Sequence, residues 1–330
     1  MADREFVFGN EEVQKLINER FIPLAMDDFY LRRQEDAAGK FFRKVANQGP
    51  RKGEGGATRQ GRYVFTADGV LLGYNNNRSP ERMIAMLNET LTKFENVAIS
   101  EKTEPSEATG DDRYSRVPPE AGAVVRVFTR VLESRADGGG GLQRCPADTA
   151  DAESYRHNGF GAAVDHLWIQ KDEIVALENS LTEHAQSGEA IAIPAPLLAR
   201  ILRFHLADNT RGEPPHWDKS EIRTMDWKCT PAEKSGQLGV AGNVHLETAD
   251  GSRGFEGQAL GHIIIKDGKI EVFNIDVLGE FWGEGHYTRG ARPGRNPIGF
   301  VFSLVSAPSP GSSIPPQGAR WLQGYYQADR

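Results

Sequence analysis

At 330 residues the chain has room for about two domains of ordinary size and a buried core. Hydrophobic residues make up 38%, with 36 glycines besides, which excludes a wholly disordered chain, collagen and a disulfide scaffold. No run approaches the roughly 20 apolar residues that a membrane span needs, and a net charge of −7 argues against a nucleic-acid binder.

The charge is uneven: residues 1–95 hold 15 Lys/Arg against 14 Asp/Glu, and residues 96–330 hold 24 against 32, so the acidic excess belongs to the second part. The two cysteines, Cys145 and Cys229, form neither a CxxC nor a zinc spacing. With a charged N-terminus lacking an apolar leader stretch, the expectation is a cytoplasmic protein with reduced thiols.

Glu5–Phe8 reads as a short strand, and Asn10 can cap a helix over Glu11–Arg20, where Val13, Leu16 and Ile17 recur on one face. The apolar run Phe21–Met26 predicts a second strand, and Ala37–Ala46 a helix anchored by Phe41, Phe42 and Val45. Gln48–Gln60 is a glycine-rich loop. Arg62–Thr66 and Val70–Tyr74 predict a hairpin across Ala67-Asp68-Gly69. Ser79, Pro80 and Glu81 open a last helix with Met83, Leu87 and Leu91 as its buried stripe. The order β-α-β-α-β-β-α implies a small mixed sheet with helices on its faces.

Within Asn10–Leu91, "EEVQKLINERFIPLAMD", "GRYVFTADGVLLGY" and "SPERMIAMLNETL" resemble the second half of bacterial thioredoxin-domain proteins, about a quarter of the chain. The resemblance implies a thioredoxin-like fold. The redox dithiol is absent, since the equivalent segment reads Phe8-Gly9-Asn10-Glu11. The family's proline before its third strand is replaced by Thr58-Arg59-Gln60. Without a low-pKa thiolate at a helix N-terminus, disulfide exchange has no attacking group. A non-redox role in packing or partner binding is expected.

Beyond this 1–95 domain, residues 96–122 read as a charged, proline-containing linker. Residues 123–305 carry a strand at Ala123–Leu132, an exposed loop at Ala136–His157, a strand or helix lead-in at Val164–Ile169, and helices at Lys171–His184 and Pro194–Ala207. Short strands follow at Leu238–Leu246, Gln258–Lys266, Lys269–Ile275 and Ile298–Leu304, with a turn at Asp267-Gly268. The expected class is α+β, a thioredoxin-like α/β domain followed by a mostly antiparallel β domain containing helices. The 306–330 tail is Pro/Ser/Gly-rich and ends in Trp321, Leu322, Tyr325 and Tyr326, an aromatic terminus that either docks on its own domain or bridges a homodimer.

Two polar segments suit a site. His205–Trp217 leaves an apolar helix and gathers Asp208, Arg211 and Glu213 in a Pro/Gly-stiffened loop. Gly279–Gly299 alternates His286, Glu280, Glu284, Arg289, Arg292 and Arg295 with glycines that let backbone approach a ligand, while guanidinium forks suit an anion. Both segments, at Asn209–Pro215 and Trp282–Arg295, are similar to the C-terminal region of uncharacterised bacterial thioredoxin-domain proteins, a resemblance that implies one architectural unit and no activity.

The sharpest chemical expectation is a transition-metal site for zinc, iron or copper. His166, His205 and His286 would be ligands and Asp208 or Glu213 a ligand or general base. Arg211, Arg289 and Arg292 would hold a small anionic substrate of an oxidoreductase or hydrolase. Cys145, with His157 near it in sequence, is a second candidate nucleophile. No GxSxG or GxGxxG motif sits in the required context, so a nucleotide cofactor is not expected. The competing reading is a non-enzymatic binding or scaffold protein whose arginines and aromatics recognise a protein partner.

Overall fold

The computed structural model describes residues 7–53, 58–97, 117–135, 141–144, 161–184, 186–232, 236–307, 314–320 and 322–328. The chain forms two compact units, within Asp3–Arg116 and Val117–Arg330. The boundary falls inside the expected 96–122 linker, and the 306–330 tail belongs to the second unit.

In the N-terminal unit, α1 (Glu11–Arg20) starts where Asn10 accepts the Val13 N–H at 3.1 Å. The short helix α2 (Asp28–Leu31) and α3 (Ala37–Ala46) follow, the latter capped by Asp36 on the Gly39 N–H. The hairpin β1 (Arg62–Phe65) and β2 (Leu71–Asn75) leads to α4 (Pro80–Glu95), which Ser79 caps by accepting the Arg82 N–H. Val7, Val13, Met83, Met86 and Leu87 form the core, with Leu16, Ile17, Phe21 and Val64 packed on it.

Neither strand expected before the hairpin is found among the described residues. Of Glu5–Phe8, the described pair Val7 and Phe8 is helical, and Phe21–Met26 has no strand partner, although Phe21 itself is extended. An apolar run specifies an extended backbone, but a strand also needs a neighbour for its N–H and C=O groups. The described part of this unit therefore holds a two-stranded sheet and the ββα order at its end.

The C-terminal unit is one antiparallel sheet. Its strands are β3 (Ala123–Ser134), β4 (Leu142–Arg144), β5 (Ala162–Ile169), β6 (Ile191–Ala192), β7 (Ile222–Met225), β8 (Lys228–Pro231), β9 (Gln237–Glu247), β10 (Gly254–Lys266), β11 (Lys269–Trp282) and β12 (Asn296–Leu304). They lie in the order β4-β3-β12-β11-β10-β9-β8-β6, with β5 also on β3 and β7 also on β9. The hairpin β10–β11 closes with Lys266 opposite Lys269 across Asp267-Gly268, as the sequence predicts.

Alternation buries Val125, Val127, Ala259, Ile263, Phe273, Ile275, Val277, Phe300 and Phe302 against Ile174 and Leu177 of α5 (Lys171–His184), Leu197 of α6 (Ala195–Arg200), and Ile201 and Leu202 that follow α6. The opposite face of the sheet leaves Phe128, Leu260, Leu278 and Val301 exposed. Two sequence boundaries move. β11 runs on to Trp282, so the glycine-rich loop is 283–295. The helix expected to reach Ala207 loosens at Ile201–His205 into a π-helical turn. Among the described residues no helix is long and apolar enough to cross a membrane.

Candidate functional site

The end of α6 and the π turn after it carry three buried basic side chains, Arg200, Arg203 and His205. Arg200 Nη2 donates to both Glu173 oxygens at 2.5 Å, and its Nη1 donates to the Tyr326 carbonyl at 3.0 Å. Arg203 donates from Nε to the Trp217 carbonyl at 2.7 Å and from Nη1 to the Ala328 carbonyl. The Tyr326 and Ala328 carbonyls lie at the end of α7 (Leu322–Gln327), so two guanidinium groups cap the end of the C-terminal helix. His205 Nδ1 lies 3.3 Å from Asp165 Oδ2, and its Nε2 lies 2.8 Å from the Tyr325 hydroxyl.

This Asp165–His205–Tyr325 row is sealed. Burial would raise the Asp165 carboxyl, but His205 and the N–H groups of Gln317 and His166 overcome it and hold the group below the usual carboxylate range. Burial pushes the Tyr325 phenol well above its ordinary value. The Trp168 N–H, on the free edge of β5, reaches the same hydroxyl at 3.4 Å. The aromatic terminus thus docks on its own domain and closes a sheet edge.

Further along, Asp208 Oδ1 accepts from the Thr210 N–H and hydroxyl, and Oδ2 accepts Arg211 Nε at 2.8 Å. Arg211 then crosses to the second polar segment, donating to the carbonyls of Thr288 and, at 3.1 Å, Gly283. The two segments singled out in the sequence therefore meet. Gly212 serves that contact, and Gly283 the approach of the loop to the backbone at Ser252. A Cβ on Gly212 would stand 2.1 Å from the Tyr287 carbonyl oxygen, and one on Gly283, at φ +79°, would stand 2.0 Å from that of Ser252. Gly212→Ala is expected to cost about 1–3 kcal/mol, because backbone must move, and guanidinium denaturation followed by fluorescence measures it.

Between the segments lies a cavity of about 20 Å³ lined in part by Val131, Asp208, Arg211, Trp282 and Arg292, with room for about one water. Arg292 donates to the Leu132 carbonyl at 2.8 Å. The sequence led to the expectation of a polar cleft for a substrate here; a cavity of this size admits no organic anion. Glu213, expected as a base, is paired with Arg320 at 2.7 Å on the surface.

The three histidines do not converge. His205 faces Asp165 and Tyr325, and His166, one residue from Asp165 on β5, is turned by the pleat to the opposite face beside Arg126. His286 is exposed, its ring edge-on to Tyr287 at 4.5 Å. Among the described residues no three His, Cys, Asp or Glu are placed to hold a metal ion. Cys145 and His157 lie outside the described residues, and Cys229 is buried, its thiol pushed up to about 12.

Arg200 and Arg203 escaped the sequence reading, although two cations three residues apart within an apolar helical stripe were the available signal. Tyr287 escaped it as well. It is 69% exposed and stands with exposed His286 and Arg289 at the tip of the loop that Arg211 holds from beneath. Arg289 has no ionic or hydrogen-bond partner among the described residues.

Fold and site together define an α+β protein with a helix-backed antiparallel sheet and a loop that carries exposed Tyr287 and is hydrogen-bonded to Arg211. Comparison with protein-family models, with curated proteins and with solved structures finds no match for this chain.

Proposed function

We propose that this is a binding protein whose C-terminal unit presents the 283–290 loop to a protein partner. The observation that carries this reading is the contrast between the base and the tip of the loop. Buried Asp208 and Arg211 clamp the base, while Tyr287 projects into solvent with His286 and Arg289. Tyrosine and arginine are the side chains that anchor interfaces, and a loop fixed in advance avoids the entropy cost of ordering on contact. The exposed guanidinium favours a partner surface bearing carboxylates. In this reading the N-terminal unit, without a dithiol, adds packing or a second contact.

The metal-assisted alternative would need His166, His205 and His286 to leave their present surroundings. Crosslinking capture from cells producing the tagged full-length chain tests the proposal. A partner held by the wild type and reduced about tenfold by Tyr287→Ser with Arg289→Glu supports it, provided thermal unfolding is unchanged. Identical captured sets for wild type and variant would overturn it.

A further inference from the structure

The C-terminal unit has a second hollow, apart from the loop at 283–290. It is an open cleft of about 720 Å³ bounded by the turn at 117–120, the start of α5 and α7. That volume falls within the range of about 300–1,000 Å³ that small-molecule sites occupy. Pro118, Pro119, Leu322 and Tyr326 are half-buried and form an apolar floor, which Val175 extends at 36% exposure. The Tyr326 ring is held from the buried side, with the Arg200 guanidinium 5.4 Å and the Tyr325 ring 5.7 Å from its centroid.

The rim is charged, and most of that charge is unspent. Glu120, Lys171 and Asp172 are exposed and line the same cleft. Asp172 Oδ1 accepts the Glu173 N–H at 3.0 Å. Neither the Lys171 ammonium nor the Glu120 carboxylate has an ion-pair or hydrogen-bond partner among the described residues, and there the Gln170 side-chain amide and the Tyr326 hydroxyl make no hydrogen bond either. Burial pushes the Tyr326 phenol up to about 12, so it stays an uncharged donor at neutral pH. A ligand of one sign meets repulsion from part of this rim, an anion from Glu120 and Asp172 and a cation from Lys171. Lys171 and Asp172 are consecutive residues, so opposite charges stand side by side above the apolar floor. A carboxylate and an ammonium on one carbon match that arrangement, and an apolar side chain on the same carbon covers the floor.

We infer that this cleft binds a free α-amino acid with a large apolar side chain, its carboxylate on Lys171 and its ammonium on Glu120. The inference is independent of the loop at 283–290. Isothermal titration calorimetry of the full-length chain with L-phenylalanine up to about 10 mM tests it, with saturable binding expected. Phenylpropionate lacks the ammonium and phenethylamine lacks the carboxylate, and each is expected to bind at least about tenfold more weakly. Lys171→Ala should abolish the preference over phenethylamine and keep that over phenylpropionate, while Glu120→Gln should do the reverse. Both side chains are exposed and unpaired, so the two variants keep the wild-type unfolding temperature. No saturable heat with L-phenylalanine, equal affinity for the three compounds, or preferences that both substitutions leave intact would overturn the inference.

Discussion

Replacing Arg200 by alanine is expected to destabilise the C-terminal unit by about 3–5 kcal/mol, the largest single-residue effect outside the apolar core. Arg200 is fully buried, holds both oxygens of buried Glu173, donates to the Tyr326 carbonyl and lies 5.3 Å and 5.4 Å from the Tyr325 and Tyr326 ring centroids. Burial already pushes the Glu173 carboxyl up, with Arg200 working against it. Removing the guanidinium leaves that carboxyl without its counter-charge and one end of α7 without a cap. All five tryptophans lie in the C-terminal part of the chain, so their fluorescence during denaturant unfolding reports this unit alone. Replacing the pair together, Arg200→Met with Glu173→Leu, should recover most of the loss, since no charge is then left buried. A single variant with wild-type stability would mean that the C-terminal helix is not held by this clasp.

Acidification should produce the second largest effect, with His216 as its source. The Nδ1 of this imidazole is buried without a hydrogen-bond partner, and its ring packs 4.9 Å from that of Phe204. Burial lowers its pKa to about 4; the Asp165 carboxylate opposes the shift, while His205, Arg320 and Arg203 add to it. The unfolded chain takes up the proton near the ordinary value of about 6.5, so between the two pH values it binds more protons than the folded one. Stability is therefore full above about pH 6.5 and falls towards pH 4, by up to about 3 kcal/mol. Glu173 contributes with the opposite sign, because a raised carboxyl favours the fold as pH falls through its range. Asp165, held low, withdraws stability only below its ordinary range. The comparison of wild type with His216→Phe isolates the imidazole: the variant should lose the slope between pH 6.5 and 4. An unchanged slope would show that His216 takes up its proton without resistance from the fold.

Local features were legible in the sequence wherever the deciding forces act over a few residues. Asn10 and Ser79 cap the helices that follow them, and Asp267-Gly268 sets the β10–β11 register. The convergence of the two polar segments was legible as well, from their shared density of glycine and charge. What those charges do was not. The residue types that would bind an anion or a metal are the same types that satisfy buried backbone. Arg211 reaches the Gly283 and Thr288 carbonyls, Arg292 the Leu132 carbonyl, and His205 the tail.

The sequence by itself determined the mixed α+β class, the hairpins, the helix starts and the absence of a redox dithiol, because propensity, capping and alternation are written in adjacent residues. Tertiary structure alone decided that Phe21–Met26 stays unpaired, that α7 seals Asp165 and His205, and that Tyr287 and Arg289 are left facing solvent. Each of these depends on which distant backbone groups find partners, and long-range pairing leaves no periodic trace along the chain.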